Sequence, residues 1–136
     1  MSETVVVFVS LPMHGLTDQE IENNINILKQ VYKDSYPEKI CLFIDNYHAL
    51  PKSYEGGAML LKNEDSKRIY KLSHAIKVMA KCDEVIMLVD TEWTGTPIES
   101  KMARGCKVEK LVCELYNKPI LYVDKSVIDH YKKSAE

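Results

Sequence analysis

The residues of this chain that could do chemistry are acids and hydroxyls set beside glycines. In ARGCKVEKLV (103–112), Glu109 follows Gly105 and Cys106 where a helical pattern begins. Two roles compete for it. As an N3 residue of a helix starting near Cys106, it would complement the helix dipole and cap orphan N–H groups. A capping box wants Ser or Thr three residues earlier, however, and Cys106 is a poor partner. As a nucleophile, Glu109 would gain from the same field, which keeps a carboxylate ionised at neutral pH, while Gly105 lets a ligand come close. A rival lies ten residues upstream in Gly95-Thr96-Pro97-Ile98-Glu99. Thr at an N-cap, Pro at N1 and Glu at N3 make a strong helix start. Glu99 therefore has a local structural reason to be there, and Glu109 does not.

A second group surrounds SLPMHG (10–15). One glycine makes neither a Walker A loop nor a GxGxxG fingerprint. Gly15 still permits a tight backbone approach, and the N–H groups entering a following helix can hold an anion. Ser10 adds a hydroxyl, Pro12-Met13 an apolar surface for a flat base, and His14 a group that titrates near neutrality. The plainer reading is a connecting turn with a half-buried methionine and a solvated histidine, and the spacing leaves both open. Asp90 ends an apolar run at a place where a carboxylate could reach ligand hydroxyls. Trp93, the single tryptophan, could stack on a base or pack against a helix or second subunit.

These residues must be positioned by regular elements, and the hydrophobic pattern supplies them. Apolar runs at 4–9, 40–44, 84–89 and 119–123 are continuous rather than alternating, as in strands covered on both faces. Helical patterns lie between them, so the chain alternates β and α. The expected architecture is a single α/β domain over 1–136, a parallel sheet with helices on both sides. Thr17 and Glu20 form a T-x-x-E capping box for the first helix, whose Ile21, Ile25, Leu28 and Tyr32 share one stripe. Residues 46–68 are irregular, and a helical face of Leu72, Ile76, Met79 and Ala80 follows from Ile69. The pattern Val108, Leu111, Val112 and Leu115 predicts the buried face of a helix over about 106–116, and residues 125–136 form a short helix with a frayed tail. In such a sheet, ligands bind beyond the carboxyl ends of the strands. That rule selects 10–15, 45–50 and 90–109.

Composition narrows the classes. A formal charge of −2 gives no global basic field, so no nucleic-acid polymer is expected as a partner. No segment reaches the roughly 20 apolar residues of a membrane span, and the N-terminus lacks the basic start of a secretory signal. The four cysteines, Cys41, Cys82, Cys106 and Cys113, make no CxxC pair and no metal spacing, and His48, His74 and His130 add no ligand spacing. Reduced thiols, a cytoplasmic location and no metal are the expectations.

Three stretches together resemble one family. VFVSLPMHGLTDQE is similar to the F-x-S-x-P-M-x-G-x-T/S-D-x-E opening of small phage- and bacteria-encoded proteins of the nucleoside 2-deoxyribosyltransferase-like superfamily. LSHAIKVMAKCDEVIMLVD resembles their central helix–strand segment, and ARGCKVEKLVCELYNKPILY their A-R-G-C-x-x-E motif with its downstream tyrosine. The resemblance spans about two thirds of the chain. It implies a flavodoxin-like or Rossmann-like three-layer fold with a four- to five-stranded parallel sheet of order 2-1-3-4. It also implies cleavage or transfer of an N-glycosidic bond of a nucleoside or nucleotide, with no metal or organic cofactor, in a homo-oligomer whose pocket a neighbouring subunit helps complete. Residue by residue, it puts Glu109 on the nucleophile and Asp90 on the strand-end carboxylate. Ser10, Met13, His14 and Gly15 fall on the base and phosphate or sugar loop; with Pro12, Trp93, Gly105 and Cys106 they make the candidate substrate-binding set. Two departures stand out. His14 replaces a frequent arginine, and extra residues between Trp93 and Ala103 bring in Glu99 within G-T-x-x-E, itself similar to the nucleophile motif of another branch. Tyr116-Asn117-Lys118-Pro119 keeps register with Glu109. The alternative is a non-catalytic protein that captures a nucleotide or ADP-ribose-like signal in the same pocket.

Overall fold

The computed structural model describes residues 3–13, 16–49, 60–89 and 104–135. Its elements follow the order β1 (Glu3–Ser10), α1 (Asp18–Ser35), β2 (Lys39–Asp45), α2 (Asn46–Ala49), α3 (Glu64–Ala80), β3 (Glu84–Val89), α4 (Arg104–Leu115), β4 (Ile120–Asp124) and α5 (Lys125–Ala135). The strands form one all-parallel sheet in the order β2-β1-β3-β4, the α/β architecture expected from the alternation and the strand order expected with the resemblance. Alternate β1 side chains divide the core. Val5, Val7, Val9 and Leu11 join Ile21, Ile25, Leu28 and Tyr32 of α1 and Ile128 of α5 on one face. Phe8, Val85 and Met87 meet Ala75 and Met79 of α3 and Cys106 and Cys113 of α4 on the other. The sheet is thus sandwiched between two helical layers. The chain goes from β1 outward to β2, then crosses back over β1 to β3. The strand order therefore reverses between β1 and β3, and the crevice rule places a ligand at their carboxyl ends.

Local chemistry accounts for these elements. Thr17 and Glu20 make the reciprocal capping box, Glu20 N–H donating to Thr17 Oγ1 at 3.1 Å and Thr17 N–H to Glu20 Oε1 at 3.2 Å. Thr17→Ala is expected to destabilise the fold by about 1 kcal/mol, read as a lower urea midpoint at unchanged m-value. At the opposite edge, Glu84 Oε2 accepts from Tyr32 Oη at 2.8 Å and from Lys39 Nζ at 3.0 Å. This half-buried junction ties α1, β2 and β3 together.

Three expectations are corrected. The third helix starts at Glu64, not near Ile69, because Asn63 caps it through Ser66 N–H at 2.7 Å. Its first turn is polar and shows no apolar period, which is why the pattern misses it. Ala75 is buried on that helix while Ala80 is exposed. On α4 the buried face is rotated: Cys106, Glu109 and Cys113 point inward, while Val108, Leu111 and Leu115 are exposed. Small cysteines act here as core hydrophobes. Cys113 Sγ lies 3.6 Å from Met79 Sδ, and a Cβ on Gly105 would meet Leu72 Cδ1 at an ordinary 3.8 Å, so α4 touches α3 through these residues.

Candidate functional site

Ser10 is the last residue of β1 and, like Phe8 two positions before, points to the α3–α4 face. There it meets α4. Ser10 Oγ lies 3.1 Å from Glu109 Oε2 and 3.6 Å from Cys106 Sγ. The hydroxyl has one proton, and the carboxylate is the stronger acceptor, so Ser10 donates to Glu109. Glu109 is 7% exposed and Ser10 2%. Glu109 and Cys106 are three apart in sequence, hence on one helix face, and α4, joining the parallel strands β3 and β4, runs back against them, so its N-terminal half lies at the carboxyl end of β1. The structure therefore brings three of the sequence-nominated residues into one buried cluster at the switch point.

Its electrostatics differ from the helix-end picture. Because α4 begins at Arg104, Glu109 lies beyond the first turn, where the dipole field has faded. Burial dominates instead and pushes the Glu109 carboxyl up to about 7, against a smaller lowering by the Ser10 hydrogen bond. The carboxyl is shared between its neutral and charged forms near neutrality, not held ionised. Burial, reinforced by Glu109, pushes the Cys106 thiol up to about 12. It is a protonated neighbour and not a thiolate nucleophile.

The remaining nominated residues fall differently. Pro12 is buried and Met13 half-buried against the α1 face of the core, with Met13 C=O accepting from Leu16 N–H at 3.1 Å. Gly105 faces Leu72 of α3. His14, Gly15, Asp90, Trp93 and Glu99 lie outside the described residues.

Sequence reasoning missed a second polar cluster at the same edge. Asp45, buried at the end of β2 and paired in register with Val9, accepts His48 N–H at 2.7 Å. Its other oxygen is 2.9 Å from His48 Nδ1, and His48 Nε2 is 2.7 Å from Glu22 Oε1 of α1. Tyr47 Oη donates to Asp18 at 2.6 Å, and His74 Nδ1 lies 2.7 Å from Asn46 Oδ1. The D-x-x-H spacing after a strand was the available signal, since an Asp there can cap the turn that carries the His. Asp45 and then Glu22 raise the His48 pKa above the ordinary 6.5, against a lesser effect of burial. Only the imidazolium can donate to both carboxylates at once. The clasp therefore contributes fully below pH 6.5 and is lost as pH rises through the folded-state pKa. An NMR titration is expected to give His48 a pKa above 6.5, falling toward the ordinary value in Glu22→Gln; a value at or below 6.5 in the unmodified protein contradicts the clasp.

Among the described residues, no group of three or more His, Cys, Asp or Glu side chains is placed to hold a metal ion, and no helix is long and apolar enough to cross a membrane. All four cysteines are free thiols. Compared with family models, with curated proteins and with solved structures, the chain matches none.

Proposed function

We propose that this protein transfers or hydrolyses the N-glycosidic bond of a nucleoside or nucleotide, with Glu109 as nucleophile. The observation that carries the reading is the buried Ser10–Glu109 pair at the switch point. A carboxyl titrating near 7 in an enclosed site is the kind of perturbed group that functional sites collect. The resemblance of the S-x-P-M-x-G and A-R-G-C-x-x-E segments supports the same assignment.

The chemistry follows that of retaining glycosidases. A Glu109 carboxylate oxygen attacks the anomeric carbon as the carbon–nitrogen bond breaks. The bond's electron pair leaves with the base, which takes up a proton from water, and the sugar is left as an ester on Glu109. Water or a second base then attacks the same carbon and returns the carboxylate. Ser10 holds Oε2 in place through both steps, so that Oε1 is the oxygen that attacks. The resemblance adds Asp90 as a strand-end carboxylate that contacts the substrate, and Trp93 offers a stacking surface for a base.

The tight enclosure of Glu109 favours a second reading. A half-protonated carboxyl held by Ser10 can also give or accept a hydrogen bond to a ligand without attacking it. Incubation with 2′-deoxynucleosides, ribonucleosides, their 5′-phosphates and NAD-related nucleotides separates the two. Free base that disappears with Glu109→Gln supports the enzyme, whereas stoichiometric retention of intact ligand supports the binder. Activity lost in Glu99→Gln but kept in Glu109→Gln moves the nucleophile to Glu99.

A further inference from the structure

The chemistry proposed for Glu109 leaves one participant without a protein partner: the departing base, which carries off the electron pair of the broken bond. Charge that develops in a transition state is stabilised by hydrogen-bond donors fixed around it in advance. One such donor stands beside the Ser10–Glu109 pair. The β1–β2 register ends at Val9 and Asp45, so Ser10 and Asn46 are the next residues along neighbouring chains. Ile44 packs with the Phe8 cluster on the α3–α4 face. Two residues on, Asn46 reaches the same face, where His74 of α3 meets it. Neighbouring strands lie about 5 Å apart. In retaining glycosidases the nucleophile and the group that serves the leaving atom are also about 5 Å apart.

His74 fixes which way the Asn46 amide points. Its Nδ1 lies 2.7 Å from Asn46 Oδ1. An amide oxygen only accepts, so Nδ1 carries a hydrogen and donates it. The amide nitrogen, with two N–H donors, then projects from the other side of the group. The Asn46 side chain is only half-buried, and among the described residues its one side-chain hydrogen bond is the one from His74. We infer that Asn46 is a second catalytic residue, donating a hydrogen bond to the departing base, and that His74 is its positioning residue. The inference rests on the N-glycosidic reading of Glu109. As the carbon–nitrogen bond breaks, its electron pair spreads from the glycosidic nitrogen onto a ring nitrogen or carbonyl oxygen conjugated with it. An Asn46 N–H donates to that acceptor and keeps its hydrogen, and the proton of the base still comes from water. An amide does not titrate in this range, so the pH dependence remains that of Glu109.

Leaving-group dependence tests the inference. Single-turnover base release is measured for each nucleoside that the protein cleaves and for a counterpart whose base departs more easily. For a purine the counterpart is the 7-methyl nucleoside, whose base leaves neutral; for a pyrimidine it is the 5-fluoro nucleoside. Asn46→Ala should slow the ordinary nucleoside about 100-fold, the usual loss of one such donor, and the counterpart less than about tenfold. His74→Phe leaves the amide unoriented and should show the same selectivity at a smaller size, on the order of tenfold. Unchanged far-UV circular dichroism confirms that both variants fold, and a merely structural lesion would slow both substrates alike. Equal losses on both substrates in Asn46→Ala, or no loss, overturn the inference; if Glu109→Gln still abolishes base release, the glycosidic reading stands without it. A selective loss in Asn46→Ala with none in His74→Phe overturns the positioning role. No base release from any nucleoside overturns the glycosidic reading itself, and this inference with it.

Discussion

Glu109→Gln is expected to lower the rate of base release from the turned-over nucleoside or nucleotide about 10⁴-fold or more. Glutamine keeps the size of the side chain and an oxygen acceptor for Ser10, so the loss would report the missing nucleophile and not a collapsed site. The reaction also needs the ionised carboxylate. Burial sets its pKa at about 7, so kcat/KM, which reports the free enzyme, is expected to rise with pH through that value and level off above it. Ser10→Ala provides a graded control. Because the Ser10 hydrogen bond lowers the Glu109 pKa, its removal should move that limb to higher pH as well as slow the reaction. A thiol mechanism at Cys106 would behave differently, since a thiol pushed up to about 12 stays protonated throughout this range.

The same substitution is expected to stabilise the fold. Glu109 has an ordinary carboxyl pKa of 4.5 when the chain is unfolded and about 7 when folded. Between those values the folded protein binds more protons than the unfolded one, so stability falls as pH rises from about 4.5 to 7. The full difference corresponds to about 3 kcal/mol of charge-burial penalty at and above neutrality. Glu109→Gln removes the ionisable group. It is therefore expected to be more stable than the parent by up to about 3 kcal/mol above pH 7 and nearly equal to it below pH 4.5. Urea unfolding at both pH values measures this. His48 acts in the same direction from pH 6.5 upward, as its clasp is lost, so the comparison is cleanest in a His48→Gln background. Parent and variant of equal stability at every pH would mean that folding does not shift the Glu109 pKa, as for a solvated carboxyl, and would contradict its burial penalty. A residue that lowers stability where it sits, yet is tied to the end of a central strand, is what a functional site leaves behind when local rules are broken.

Much of this was legible in the chain before folding. Continuous apolar runs located the four parallel strands, and the T-x-x-E box located α1, because burial and capping are written in residue type and spacing. The reversal between β1 and β3 then selected Ser10 and the segment around Glu109. What the sequence hid was the rotation of α4. Leu111 and Leu115 looked like core residues and Glu109 like a helix-end acid, because periodicity weighs large aliphatics and gives little weight to Cys106 and Cys113. Cys106 and Cys113 bury beside Met79, and the helix face they share turns the glutamate inward. The shift of its pKa was hidden for the same reason: the helix-end field is a local property, whereas desolvation depends on what packs around the group. The Asp45–His48–Glu22 clasp required α1 and β2 to be neighbours before its third member could be seen.

The claim that Glu109 forms the glycosyl bond has a direct test in mass spectrometry. The protein is mixed with the nucleoside or nucleotide that it cleaves, quenched in acid within the first turnover, and digested. A mass increase equal to the sugar or sugar phosphate on the peptide containing Glu109, absent in Glu109→Gln, is the predicted result. An unmodified Glu109 peptide beside full base release, or the same increase on the peptide containing Glu99, contradicts it.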